Sequence, residues 1–124
     1  PAELSTGMKQ RLGLARVLAS QAQLLLMDEP FASLDFLTRG ELQTQLLAIQ
    51  QRLPRTIVLV THQLDEALLL GQKIIVMHPD SSIREFDLPD AYPRDLDDPR
   101  MRQLREAITD ECRTPSAARR RRNP

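Results

Sequence analysis

Two carboxylates stand directly behind a run of apolar residues: Leu24-Leu25-Leu26-Met27 leads into Asp28-Glu29-Pro30. A run this short is too brief for a helix and reads as a buried strand stopped by Pro30. Open sheets of parallel strands place ligands at the C-terminal ends of their strands. An aspartate at such an end can hold Mg²⁺, a hard cation that takes oxygen ligands. The adjoining glutamate can orient or deprotonate a water attacking a γ-phosphate. Alone, the pair also reads as two carboxylates opening a loop. A second apolar, β-branched segment, Thr56-Ile57-Val58-Leu59-Val60-Thr61, ends at His62. Parallel neighbours bring their C-terminal ends together, so His62 is expected near Glu29. Leu4-Ser5-Thr6-Gly7-Met8-Lys9-Gln10-Arg11 opens a helix. Free N–H groups and the positive dipole end favour an anion there, and the Ser5 hydroxyl adds a hydrogen bond. In isolation this is an ordinary capped helix.

The elements that must position these residues follow from periodicity and punctuation. Residues 5–20 read as a helix with Ser5 as N-cap, Met8, Leu12, Ala15 and Ala19 on its core face, and Lys9, Arg11 and Arg16 toward water. Asp35 is the expected N-cap of a helix over 36–53, with Leu42, Leu46 and Ile49 as its stripe and Pro54 at its end. A third helix covers 63–70 and stops at Gly71, and a strand spans 73–77. Residues 78–82 form a turn, from which 83–88 returns as a strand. Residues 89–99 are loop and 100–109 a short helix. From 113 on there is no apolar pattern, and disorder is expected. Alternating strand and helix predict an α/β fold: parallel strands covered by helices, with a C-terminal antiparallel hairpin.

Composition narrows the function. The 124 residues suffice for one small domain, and 41% apolar with 3% aromatic residues implies an aliphatic core. Seventeen basic and seventeen acidic residues cancel, so no global charge draws the chain to nucleic acid or an anionic membrane. Arg119-Arg120-Arg121-Arg122 has no interleaved aromatic residue and reads as a solvated end. Cys112 is the single cysteine, which suits the cytosol. No apolar run approaches the roughly 20 residues of a spanning helix, and no signal peptide is apparent. A start at Pro1 fits a piece of a longer protein.

The order of the motifs is more specific than any of them alone. Leu-Ser-x-Gly-x-x-Gln-Arg (4–11), Leu-Leu-Leu-Met-Asp-Glu-Pro (24–30), Ser33-Leu34-Asp35 and Thr61-His62 resemble the second half of an ABC ATPase: signature motif, Walker B strand, D-loop and switch histidine. More loosely, Ile74 to Tyr92, Pro93-Arg94-Asp95 and Asp98-Pro99-Arg100, together with Met8, are similar to ATPases serving nitrate, sulfonate or taurine importers. The resemblance implies a partial P-loop NTPase fold whose N-terminal half is missing, with residues 1–110 as the C-terminal part of the nucleotide-binding domain and 111–124 as a disordered Arg-rich tail. It implies ATP and Mg²⁺ as ligands, Asp28 at the metal, and Glu29 and His62 as catalytic groups. Ser5 and Gly7 would contact the γ-phosphate held by the opposite subunit, and Asp35 would couple two sites across a head-to-tail homodimer. Permease subunits and a solute-binding protein are the further implied partners, nucleic acid is not, and the implied location is the cytoplasmic face of the cell membrane.

Two departures bear on activity. Thr6 stands where the signature motif has glycine, whose backbone approaches phosphate closely. No Gly-x-x-x-x-Gly-Lys-[Ser/Thr] loop occurs, although that loop supplies most of the phosphate grip. The expectation is an importer ATPase subunit present as a fragment and inactive as an isolated chain. The alternatives are a non-catalytic relic or interaction fragment of such a subunit and, further off, a soluble ABC ATPase of DNA repair or translation.

Overall fold

The structure is a computed structural model that describes residues 5–89 and 92–114. The chain divides into two compact units, Pro1–His62 and Gln63–Pro124.

The first unit holds helix α1 (Thr6–Ala19), strand β1 (Leu24–Asp28), helix α2 (Phe36–Arg52) and strand β2 (Thr56–Val60). β1 and β2 pair in parallel, Leu24 opposite Thr56 and Asp28 opposite Val60. Strand alternation sends Leu25 and Met27 inward, where both are buried, and leaves Leu24, Leu26, Val58 and Val60 exposed on the other face. Leu14, Phe31, Leu34 and Leu46 are the other buried apolar side chains among the described residues of this unit. Both helices start where the sequence places them. The Ser5 hydroxyl accepts from the Met8 N–H, and the Asp35 carboxylate accepts from the Thr38 N–H.

The core face of α1 is not the expected one. Met8, Leu12, Ala15 and Ala19 are exposed, while Leu14 is buried and Gly7, Gln10 and Val17 are half-buried. The helix is therefore turned by about one residue, roughly 100°, from its apolar stripe. The observed face buries Leu14 and sets Gln10 against a loop whose backbone it hydrogen-bonds at two points.

The second unit holds helix α3 (Leu64–Leu70), strands β3 (Lys73–Met77) and β4 (Ile83–Asp87), and helix α4 (Pro99–Arg113). β3 and β4 form an antiparallel hairpin, Lys73 opposite Asp87 and Met77 opposite Ile83. In its turn Asp80 accepts from the Ser82 N–H and hydroxyl. Leu68, Val76, Leu88, Met101 and Ile108 form one apolar cluster, with Leu64, Ile74, Phe86, Leu96 and Leu104 packed on it. Gly71 ends α3 because of space: a Cβ there would lie 2.9 Å from the Ala67 carbonyl oxygen. Asp98 caps α4 and Pro99 occupies its first turn. α4 runs to Arg113, past the expected 109 and through the first residues assigned to the tail, because Ile108 is buried and Glu111 is tied to His78 at 3.0 Å. Residues 115–124, including the arginine run, lie outside the described residues.

Candidate functional site

β1 delivers Asp28 and Glu29 to the end of the sheet where β2 delivers Thr61 and His62. The parallel register fixes this: the Glu29 N–H donates to the Val60 carbonyl at 2.8 Å, one step beyond the Asp28–Val60 pair. Thr61 and His62 follow immediately. Glu29 Oε1 accepts from the His62 N–H at 2.9 Å and lies 2.6 Å from His62 Nδ1. The Thr61 hydroxyl donates to Oε2 at 3.5 Å, the outer limit of a hydrogen bond. The expected meeting of Glu29 and His62 is thus present, and Thr61 adds to it.

The hydrogen bond from the His62 side chain is the main reason the Glu29 carboxyl is held below its ordinary value; partial burial opposes it, and the His62 N–H, the His62 charge and Thr61 add to the lowering. Glu29 is therefore ionised at neutral pH. A carboxylate so held accepts protons less readily and suits the orientation of a water more than its full deprotonation. Solvent reaches the pair, with side-chain exposures of 31% for Glu29 and 75% for His62.

Glu29 has φ 46°, the left-handed region that a non-glycine residue enters only when its surroundings hold it there. The Val60 carbonyl holds its N–H. Its own carbonyl accepts from Gln10 Nε2 at 2.9 Å and from the Ala32 N–H at 3.2 Å. The loop from Glu29 to Asp35 is pinned further by Phe31, which is fully buried, and by Arg39, whose guanidinium donates to the Phe31 and Leu34 carbonyls. It ends at Asp35, whose carboxyl is held below its ordinary value chiefly by the Thr38 N–H, with Arg11 nearby. Arg11 donates to the Thr38 hydroxyl at 2.7 Å.

The other expected site residues are placed as follows. Ser5, exposed, caps α1 and opens it toward solvent; Thr6 occupies the first helical position and is exposed too. A Cβ on Gly7 would meet Leu34 and the Ser33 carbonyl at 3.7 Å, ordinary contact distance, so no contact among the described residues demands glycine there. Asp28 is exposed at the end of β1. Among the described residues no cluster of three or more His, Cys, Asp or Glu is placed to hold a metal. Asp28 fits a Mg²⁺ ion as one oxygen ligand, direct or through water, a cation that keeps several waters in such sites. Gln10 and Arg39 were not singled out by sequence reasoning. Gln10 lies inside the quoted Leu-Ser-x-Gly-x-x-Gln-Arg stretch, but spacing does not say which way a helical side chain turns.

The ABC transporter family profile matches residues 1–32. A nitrate transport protein of Klebsiella oxytoca is 45% identical over 115 residues, covering 87% of this chain and 44% of that protein. A taurine import ATP-binding protein of Sinorhizobium fredii is 45% identical over 94 residues, 76% of this chain and 35% of its own length. An aliphatic sulfonates import ATP-binding protein of Rhodococcus jostii is 39% identical over 110 residues, 89% of this chain and 45% of its own length. The chain thus spans less than half the length of these relatives. A solved chain from work on ATP-driven dimerization and DNA-stimulated activation of SMC ATPases superposes with a TM-score of 0.58 at 17% identity, covering 93% of this chain and 66% of that one. At that identity the likeness concerns the fold alone.

Proposed function

We propose, from its similarity to ABC transporter ATP-binding proteins, that the chain is part of the ATP-hydrolysing subunit of an importer for a small anion or sulfonate-like solute. The observation that carries the catalytic reading is the contact between Glu29 and His62 at the common end of two parallel strands. In this reading Glu29 orients the water that attacks the γ-phosphate, and His62 holds Glu29 while its exposed ring reaches the phosphate. Asp28 is the ligand offered to Mg²⁺, which when bound would draw negative charge from the phosphates. Ser5 and Gly7, at the N-terminus of α1, face a phosphate held by a second subunit, and Asp35 lies at the junction of the two sites. The nitrate, taurine and sulfonate relatives support the solute class. Permease and solute-binding protein are the partners proposed on the same ground, with attachment at the inner face of the membrane. Among the described residues no helix is long and apolar enough to cross a membrane.

The 124 residues contain no Gly-x-x-x-x-Gly-Lys-[Ser/Thr] loop, so the proposal requires that segment from elsewhere. The test joins a phosphate-loop segment of the family ahead of Pro1 and measures Mg-ATP binding and phosphate release beside the chain alone. The chain alone should bind ATP weakly or not at all, and the joined protein should hydrolyse it. Glu29→Gln keeps the size and removes the charge, so turnover should fall about 10²–10⁴-fold while binding persists and the ATP-bound dimer accumulates. Near-normal turnover in that variant would remove Glu29 from the catalytic role. Binding without hydrolysis in the unsubstituted joined protein would favour the non-catalytic relic.

A further inference from the structure

We propose that Gln10 is a positioning residue for Glu29: one side-chain amide braces both ends of the Glu29–Ser33 loop and ties the direction of the carboxylate to the position of α1. The inference rests on the reading in which Glu29 orients the attacking water.

The two contacts are opposite in sense. Nε2 donates to the Glu29 carbonyl at 2.9 Å, and Oε1 accepts from the Ser33 N–H at 3.0 Å. Only one orientation of an amide satisfies both, and neither a carboxylate nor an apolar side chain can. Glu29 and Ser33 are four residues apart, the separation closed by a helical hydrogen bond. Here the amide stands between that carbonyl and that N–H, so the loop is held open where an ordinary turn of helix would close it. The left-handed backbone of Glu29 is thereby fixed from two sides, by Val60 on the strand side and Gln10 on the loop side. Without Gln10, the Ala32 N–H is the remaining hydrogen bond described at the Glu29 carbonyl. Gly7, one turn earlier on the same helix, lies against Ser33 and Leu34. A displacement at the start of α1, where the proposed function puts the opposing nucleotide, therefore reaches the loop through Gly7 and Gln10 together.

The experiment compares the joined protein with its Gln10→Leu and Gln10→Asn variants by steady-state kinetics, Mg-ATP binding and amide hydrogen exchange. Leucine removes both hydrogen bonds; asparagine, one methylene shorter, cannot span both. The expected result is a fall in kcat of up to about 10²-fold in Gln10→Leu, and a smaller fall in Gln10→Asn, with little change in ATP affinity. Exchange should quicken at the Ser33 N–H, which loses its acceptor. An unchanged kcat, or unchanged exchange at Ser33, in the folded variants overturns the proposal. If Gln10→Leu does not fold, Gln10→Asn carries the same decision. Faster exchange at Ser33 while Glu29→Gln still hydrolyses normally overturns the ATPase reading and leaves the bracing of the loop by Gln10 intact.

Discussion

The two units use polar side chains for opposite purposes. In residues 5–62 they hold a loop open: Gln10 and Arg39 occupy backbone groups of Glu29, Phe31, Ser33 and Leu34, and Glu29 and His62 meet in reach of water. In residues 63–114 they close ends. Arg94 donates to the carbonyls of Leu68, Gly71 and Pro89, and Tyr92 to those of Leu70 and Gly71, satisfying the carbonyls that α3 leaves free. The Arg94 guanidinium also lies 4.2 Å from the centre of the Tyr92 ring. His78, almost fully buried, meets Glu111 and so ties the hairpin to the last turn of α4. One region keeps Glu29 and His62 accessible on a braced loop, and the other seals an aliphatic cluster. Polar changes should therefore cost function in the first and stability in the second.

Beyond the loss of turnover expected for Glu29→Gln, the sharpest test of that division is Ile108→Ala. Ile108 is fully buried in the apolar cluster, and truncation should destabilise by about 2–5 kcal/mol through lost transfer energy and the cavity left behind. Thermal melting measures it, and hydrogen exchange should rise first in residues 63–114. Glu111→Gln comes next. It replaces the charged partner of buried His78 and should cost about 1–3 kcal/mol, again read by melting. A variant as stable as the parent would mean that the tie between hairpin and α4 is not held in solution. Smaller still is the effect of Leu26→Thr with Val58→Thr. These neighbours lie on the bare face of the β1–β2 sheet, so stability should stay within about 0.5 kcal/mol. Self-association, followed by size-exclusion chromatography, should decrease, because exposed apolar surface drives it.

What the sequence disclosed divides along the same line. Both strand ends that meet at Glu29 and His62 were legible, because a parallel pair brings like ends together and the apolar runs are bounded by Pro30 and His62. The caps Ser5 and Asp35 were legible because cap chemistry is local. The buried face of α1 was not. Its aliphatic residues pointed to Met8 and Leu12, whereas the side turned inward carries Leu14 and Gln10, whose partners are 19 and 23 positions away in the chain. The extent of α4 was missed for a similar reason, since its last turn is fixed by a partner 33 positions away in the chain. Hydropathy period sees neither kind of long-range polar contact.

The smallest expected effect separates the regions by the direction of their response to pH. In the first, Glu29 is held below its ordinary value chiefly by the His62 side chain, and Asp35 chiefly by the Thr38 N–H. A depressed folded pKa gives stability that is present above the unfolded value and lost as pH falls through the folded one. These contacts should persist at neutral pH and through the ordinary carboxylate range, and fail only below it. In the second, Lys73 is held above its ordinary value chiefly by its hydrogen bond with Glu85, at 2.7 Å. A raised folded pKa works the other way: its contribution is complete below the unfolded value and lost as pH rises through the folded one. Acid should thus loosen the Glu29 contacts only below the ordinary carboxylate range, while strong alkali should release Lys73 and spare Glu29. These groups are open to solvent, where ion pairs contribute little and salt screens them, so the signal belongs to single resonances and not to the global melt. NMR titration of the Glu29 and Asp35 carboxyl carbons and the Lys73 side chain measures each. A Glu29 midpoint in the ordinary carboxylate range, moving no further when His62 is changed to glutamine, would mean that the 2.6 Å contact is not held in solution. The difference between an open reactive loop and a sealed core would then rest on Gln10 and the backbone alone.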